Sequence, residues 1–289
     1  MKKIICLLII ILLLTGCSLF KRDNMENIDI ITTNYAIEFV IDYLYGDNSL
    51  VSSIYPDGVD IANYKFTEKQ IKDYSKKDLF VYMGNTNDSN QAVTFLNNNN
   101  KIKIIDATYG MQYKYGTDEF WLNPSNLLMI AGNIKNGLGE YINSTYLLKN
   151  IDTLYEDLKV ELSGLDADYK TTIANANYKT IVVNSDNLLY LEKYELNIIS
   201  LDKNNENYEK NLALFKNYLK QQTIKYFYAY ENAETDEEVN QIITDNNIEI
   251  LNIKNLKNIT DEERDNDFTY TKIMYNNLEE LKKELYKIL

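Results

Sequence analysis

The sequence predicts an α/β protein of two lobes with mainly parallel sheets flanked by helices, joined by one long backbone helix. Short β-rich runs alternate with helical stretches from residue 28 to residue 143, a pattern typical of βαβ units. Residues 144–177 contain no strand-like run, and their apolar residues recur at steps of three and four. The alternation resumes over residues 178–289, which indicates a second α/β lobe.

In the first lobe the elements follow from periodicity and capping residues. A strand is predicted over 28–33, and a helix over 34–46 ends at Gly46. Thr67 is the predicted N-cap of the next helix, and Pro124 begins the last helix of the lobe. Further strands are predicted at 49–55, 78–84 and 101–108, whereas the asparagine-rich residues 86–100 are predicted to be a loop.

The linking helix carries one apolar stripe, formed by Leu147, Ile151, Leu154, Leu158, Leu162, Leu165 and Tyr169. Such a helix spans roughly 40 Å, enough to cross two lobes. A coiled-coil seam is disfavoured because the stripe covers only about three heptads. In the second lobe, strands are predicted at 179–184, 196–201, 224–231 and 248–253, and helices at 185–194, 207–223, 237–247 and 270–289.

The N-terminus is typical of a bacterial lipoprotein signal peptide. Lys2 and Lys3 precede an apolar run that is shorter than the ~20 residues of a membrane-spanning helix. The run ends in Leu-Thr-Gly-Cys, which resembles a lipobox with Cys17 as the lipid-attachment site. We expect residues 1–16 to be removed and residues 17–27 to form a tether. The alternative is an uncleaved anchor helix. Under either interpretation we expect the two lobes to lie outside the cytoplasm, anchored to the bacterial cell membrane.

Composition excludes several classes of function. The formal net charge of -13 disfavours nucleic acid and anionic lipid headgroups as partners. The chain has no histidine, and its two cysteines are Cys6 and Cys17, so the cleaved chain has no free thiol for a disulfide, a metal or a nucleophilic relay. A metal would therefore need oxygen ligands. Asp118 and Glu119 could act as acid and base, but adjacent side chains usually point apart, so we expect no enzyme.

Several stretches, in order, resemble the lipoprotein solute-binding proteins that deliver zinc or manganese to ABC transporters. "IITTNYAIEFVIDYLYGDN" resembles the opening strand and helix of that family, and "YPDGVDIANYKFT" resembles P-P-G-x-D-P-H-x-Y-E-P-T. "DEFWLNP" resembles P-H-x-W-L-D-P, and "KTIVVNSDNLLYLEKYEL" resembles K-T-I-V-x-S-H-D-A-F-x-Y-L-x-x-x-Y-G-L. The resemblance covers nearly all of the mature chain and implies metal binding between the lobes by three histidines and one acidic residue.

The ligand positions that the resemblance implies have changed in this chain. The three histidines fall on Ala62, Glu119 and Ser185, and the acidic ligand falls on or near Lys254, with Glu231 as an offset alternative. Neither Ala62 nor Lys254 can ligate a metal as it stands. The predicted metal site therefore consists of Glu119, Ser185 and Asp60, with Asp186 and Glu231 nearby, and would suit manganese, magnesium or calcium better than zinc. Lys254 could instead pair with Glu119 and close the cleft without metal.

Two functions stay open from the sequence. The first is a monomeric, membrane-anchored solute-binding protein of a zinc/manganese-type ABC importer, with an ABC permease as partner and a degenerate metal site. The alternative is a metal-free, adhesin-like surface interaction module on the same scaffold. The 25 tyrosines fit a recognition surface, although strand and core positions also account for many of them.

Overall fold

The computed structural model describes residues 23–59, 61–112 and 119–288. The predicted signal peptide, the lipid-attachment residue Cys17 and the candidate ligand Asp60 lie outside these ranges. No helix in the described ranges is both long enough and apolar enough to cross a membrane.

The first lobe contains a four-stranded, wholly parallel sheet in the order β2-β1-β3-β4. Its strands are β1 (Ile28–Thr32), β2 (Ser49–Ser53), β3 (Leu79–Tyr82) and β4 (Lys103–Asp106), and its helices are α1 (Tyr35–Tyr45), α2 (Glu68–Tyr74), α3 (Asp88–Asn98) and α4 (Pro124–Tyr141). Short 3₁₀ helices lie at Gly46–Asn48, Ile61–Asn63 and Phe120–Leu122. Thr67 caps α2 as predicted: its hydroxyl accepts from the Gln70 amide, and the Gln70 side-chain oxygen accepts from the Thr67 amide.

Helix α3 corrects the sequence prediction, which treated residues 86–100 as a loop. Ala92 and Phe95 of this helix are buried, and Phe95 packs edge-on against Phe80 of the sheet at 4.9 Å between ring centroids. The asparagines occupy the remaining faces. Burial of a few apolar side chains therefore outweighs the weak helix propensity of asparagine.

The second lobe repeats the arrangement with a parallel sheet in the order β6-β5-β7-β8. Its strands are β5 (Thr180–Val183), β6 (Asn197–Ser200), β7 (Tyr226–Tyr230) and β8 (Glu249–Ile253). The 30-residue helix α5 (Thr145–Ala174) joins the lobes, and α6 (Tyr208–Lys220), α7 (Glu237–Asp245), α8 (Asp261–Asp265) and α9 (Tyr270–Leu285) follow. The predicted helix at 185–194 is a 3₁₀ helix, Asp186–Tyr194, and α8 was not predicted.

The long helix is amphipathic in the predicted register. Leu158, Leu162, Leu165 and Tyr169 are almost fully buried, whereas Leu154 is partly buried. The helix packs against α4, α9 and α1, so it contacts elements of both lobes. Its 30 residues span about 45 Å. The predicted fold class, two parallel-sheet lobes flanked by helices with a long helix between them, is confirmed.

Candidate functional site

The topology locates the candidate site before any side chain is considered. In each sheet the strand order reverses direction once, between β1 and β3 in the first lobe and between β5 and β7 in the second. Parallel α/β sheets bind ligands at the carboxyl ends of the strands beside such a switch point. Asn34 follows β1, Ser185 follows β5 and Glu231 follows β7, so these residues lie at the two switch points.

Residues of both lobes enclose the space beyond these strand ends. One cavity of about 260 Å³ is lined by Gly58 and Glu119 of the first lobe and by Tyr230, Glu231 and Asn255 of the second. A second cavity of about 310 Å³ lies towards the first sheet and is lined by Asn34, Tyr55, Asp88 and Trp121, among others. Ile61, Glu119 and Lys257 line both cavities, so these three residues form the wall between them.

An ion pair lies in that wall. The Nζ atom of Lys257 is 2.6 Å from Oε1 of Glu119. The Glu119 side chain is 3% exposed and the Lys257 side chain is 39% exposed, so the carboxylate is buried while the lysine remains in contact with solvent. A buried carboxylate requires a compensating charge or hydrogen bonds. The ammonium of Lys257 supplies this charge from the opposite lobe.

The position of Glu119 is fixed by the stretch that follows it. Phe120, Trp121 and Leu122 form a buried 3₁₀ helix, and the indole Nε1 of Trp121 donates to the carbonyl of Asn255 at 2.7 Å. The Tyr270 hydroxyl donates to the carbonyl of Trp121 at 2.6 Å. Two bonds to the second lobe therefore hold this segment of the first lobe against the cleft.

The predicted pairing of Lys254 with Glu119 is wrong. Lys254 binds Glu231 at 2.8 Å and Glu263 at 2.9 Å, both within its own lobe. Burial lowers the pKa of Lys254, but the bonds to these two carboxylates outweigh it and raise the pKa above its usual value. Lys257, three residues further along the chain, contacts Glu119 instead. Sequence reasoning missed Lys257, although its position just beyond a predicted strand end was a usable signal.

The backbone around Lys257 contacts the first lobe. Leu256, between the two lysines, adopts a positive φ of 59°, which is uncommon for a branched side chain. Lys257 then accepts a hydrogen bond at its carbonyl from the amide of Tyr35, at 2.9 Å. The carbonyl of Ile259 accepts from Gly58 at 2.9 Å. Residues 255–260 of the second lobe therefore bridge to the first lobe through main-chain atoms.

Ser185 and Asp186 form local hydrogen bonds and line neither of the two cavities that Glu119 lines, whereas Glu231 lines the first of them. The Ser185 hydroxyl accepts a bond from the Asn187 amide at 3.2 Å and caps the following 3₁₀ helix. Asp186 accepts bonds from Ser200 at 2.5 Å and Asn205 at 2.7 Å, and it lines a different cavity. Ala62 lies in the 3₁₀ helix Ile61–Asn63.

The donor set does not fit zinc. Tetrahedral zinc sites use about three or four protein ligands, mostly histidine nitrogen and cysteine sulfur with carboxylate oxygen as a further ligand, at about 2.0 to 2.3 Å. Within residues 23–59, 61–112 and 119–288, no three histidine, cysteine, aspartate or glutamate side chains are grouped closely enough to hold a metal ion. The candidate site instead offers one buried carboxylate with a lysine ammonium already bound to it.

Comparisons with known proteins agree with the fold. The model of the family described as "ZnuA: Zinc-uptake complex component A periplasmic" matches residues 30–284. Zinc-binding protein AdcA of Streptococcus pyogenes is 24% identical over 294 residues, covering 88% of this chain and 55% of the relative. High-affinity zinc uptake system protein ZnuA of Bacillus subtilis is 22% identical, covering 90% and 88%. The chain thus spans about half the length of the AdcA relatives and most of ZnuA.

Solved structures give the same result at the level of fold. The Zn(II)-bound ZnuA-like domain of AdcA from Streptococcus pneumoniae superposes with a TM-score of 0.73 at 23% identity, covering 90% of this chain and 99% of that one. The metal-dependent lipoprotein YcdH of Bacillus subtilis gives 0.75 at 21% identity, with the same coverage. At these identities the likeness concerns the two-lobed architecture alone.

Proposed function

Because the chain belongs to the ZnuA family of periplasmic zinc-uptake components, we propose that it is the solute-binding protein of a metal-type ABC importer with a degenerate metal site. The family consists of solute-binding proteins and not of enzymes. We further propose an extracytoplasmic monomer that is anchored to the membrane through Cys17 and acts with an ABC permease. The names of its relatives, a zinc-binding protein and a zinc-uptake protein, support a metal as the ancestral cargo.

The ion pair between Glu119 and Lys257 is the observation that supports degeneration of the site. A divalent cation that approaches Glu119 meets the ammonium of Lys257, which is 2.6 Å from the same carboxylate oxygen. At about 4 Å and an effective dielectric near 20, each pair of unit charges repels by about 4 kcal/mol. The cation must therefore displace Lys257 before it can bind. No histidine is present to offset this cost.

Once Lys257 is displaced, the oxygen ligands of the cleft determine which cations bind. Our proposed ligands are Glu119, Ser185 and Asp60, which are one carboxylate, one hydroxyl and a second carboxylate. Such ligands suit manganese, magnesium or calcium, whereas zinc prefers nitrogen and sulfur. We therefore propose that the cleft binds zinc far more weakly than a histidine site would.

Elemental analysis and zinc competition test this function. The purified protein is first analysed for zinc and manganese and then titrated with zinc against a chromogenic chelator. We expect less than one zinc per chain and no competition with the chelator. The Lys257→Met variant should gain measurable affinity for manganese, because the competing ammonium is gone. Stoichiometric, tightly held zinc in the wild-type protein that Glu119→Gln removes would contradict the degenerate site.

A metal-free interaction module is the second candidate, and one observation favours it. The lobes are already bridged by the Glu119–Lys257 pair and by main-chain bonds from residues 255–260. A protein whose cleft is held together by its own residues needs no cargo to adopt this conformation. Transport assays of divalent cations with and without the gene separate the two candidates, since a surface module leaves metal uptake unchanged.

A further inference from the structure

Four lysines form a basic surface on the first lobe of this acidic chain. Lys69 and Lys72 lie in α2, Lys76 follows the end of that helix, and Lys101 precedes β4. All four are exposed. Residues 65–78 contain five lysines and three acidic residues, whereas the whole chain carries a net charge of -13. We call the four exposed lysines the lysine surface.

Like charges are repeated along one face of α2. Lys69, Lys72 and Lys76 are three and four residues apart, and the amide of Lys76 donates to the carbonyl of Asp73 at 3.2 Å, which continues the helical path. Lysines at this spacing repel one another and destabilise a helix. Asp73 binds Nζ of Lys76 at 2.7 Å, and this bond lowers the pKa of Asp73, as do the charges of the other two lysines. The remaining positive charge faces solvent and attracts an anionic partner.

The lysine surface adjoins the edge of the first sheet at which the strands begin. The four strands are parallel, so they start at one edge. Nζ of Lys77, just after α2, binds Oδ2 of Asp29 in β1 at 2.8 Å. Nδ2 of Asn99 donates to the carbonyl of Ser75 at 2.7 Å, which holds the segment before Lys101 against the end of α2. The end of α2 and the start of β1 are therefore neighbours.

The proposed lipid anchor enters the lobe at the same edge. Asp23 lies five residues before β1 and six residues after Cys17. Its Oδ2 accepts from the amides of Asn143 and Ser144 at 2.8 and 2.7 Å, so residue 23 is fixed to the lobe. Six residues span at most about 20 Å. An anchor at Cys17 therefore keeps this edge within about 20 Å of the membrane.

We propose that the lysine surface contacts anionic phospholipid headgroups of the membrane to which the chain is anchored. This inference rests on the proposed anchoring through Cys17. The net charge of the chain opposes binding to an anionic surface, so the contact depends on the anchor, which raises the effective concentration of headgroups beside the lysines. The cleft lies at the opposite edge of the sheet, where the strands end, and stays uncovered.

The test reproduces the anchor chemically, because Cys17 is the one cysteine of the chain from residue 17 onwards. This cleaved chain is coupled through the Cys17 thiol to a maleimide phospholipid in vesicles. One set of vesicles contains phosphatidylcholine alone, and the other also contains phosphatidylglycerol. Acetylation of each lysine by a water-soluble reagent is followed by mass spectrometry. We expect the lysine surface to react about fivefold more slowly on the phosphatidylglycerol vesicles, and the difference to disappear at about 1 M salt.

Two charge-reversal variants separate this surface from general charge effects. Lys72→Glu should remove most of the slowing at the other three lysines, because it reverses a charge in the middle of the surface. Lys220→Glu is the matched control, since Lys220 is exposed at the end of α6 in the second lobe. It should leave the slowing unchanged. Equal reaction rates of the lysine surface on both vesicles, or equal effects of the two variants, would overturn the proposal.

Two further measurements identify the source of a negative or misleading result. Slowing of the same size by inorganic phosphate with phosphatidylcholine vesicles would assign the lysines to a soluble anion and overturn the membrane contact. Mass spectrometry of the protein from its native membrane fraction tests acylation of Cys17 separately. Because the coupling to vesicles is chemical, missing acylation would refute the proposed anchor, whereas equal rates on the two vesicles would refute the lysine contact.

Discussion

Removal of Lys257 should destabilise the fold more than removal of Glu119, although both changes break the same 2.6 Å contact. Lys257→Met leaves the Glu119 carboxylate, 3% exposed, without its ammonium. Breaking a fully buried pair in this way costs about 3–5 kcal/mol. Lys257 is 39% exposed, so solvent screens the pair and we expect a loss of about 2 kcal/mol.

The reverse change is expected to cost less. Glu119→Gln keeps the volume and one acceptor oxygen, and the freed ammonium of Lys257 can turn towards water, so we expect a loss of about 1 kcal/mol. The double variant, Glu119→Gln with Lys257→Met, should be more stable than Lys257→Met alone, because no buried charge remains.

Urea unfolding monitored by Trp121 fluorescence and circular dichroism measures these free energies. Lys216→Met is the matched control, since its bond to Glu238 joins two exposed side chains, 45% and 55%, and should contribute little. Equal losses in Lys257→Met and Lys216→Met would refute the reasoning. A double variant that is no more stable than Lys257→Met would also refute the reasoning. The stability lost in Lys257→Met would then not be due to the Glu119 carboxylate.

Three further predictions concern stability. Trp121→Phe removes the bond to the Asn255 carbonyl and should lower the unfolding free energy, measured by urea titration, by about 1–2 kcal/mol. An unchanged free energy would show that this bond does not stabilise the contact between the lobes. Burial raises the pKa of Glu38 above 4.5, so its stabilising contribution is lost as pH rises above that value. Glu38→Gln should therefore flatten the fall in stability above pH 4.5, and an unchanged slope would contradict this. Burial raises the pKa of Asp166, but bonds from Lys193 and Tyr194 outweigh it and lower the pKa below 3.8. The loss of stability caused by Asp166→Asn in thermal melts should therefore be largest near pH 7 and shrink below pH 4. A loss of stability that does not change with pH would contradict this.

The fold was largely predictable because its signals are local and repeated. The apolar stripe of α5 runs through Leu158, Leu162 and Leu165, and strands alternate with helices on both sides of it. Helix α3 was missed because its asparagines suggest a loop, while Phe95 is buried only through contact with a sheet formed by distant residues. Local propensity does not report such tertiary contacts.

The sequence predicted that Glu119 lies at the cleft, but it predicted the wrong lysine as its partner. The resemblance placed Glu119 in the cleft, and Trp121 and the residues after it keep the expected frame. Both Lys254 and Lys257 lie just beyond the predicted strand 248–253, so strand position alone does not tell which of them contacts Glu119. Leu256 between them has a positive φ of 59°, and its strain of about 1–3 kcal/mol is offset by the bonds that residues 255–260 form with the first lobe.

A crystal structure of the protein grown with zinc, with diffraction recorded at the zinc absorption edge, tests the central claim most directly. The account predicts the Lys257 ammonium beside Oε1 of Glu119, as here at 2.6 Å, and no anomalous peak in the cleft. An anomalous peak about 2.0–2.2 Å from a Glu119 oxygen, with Lys257 displaced, would contradict it.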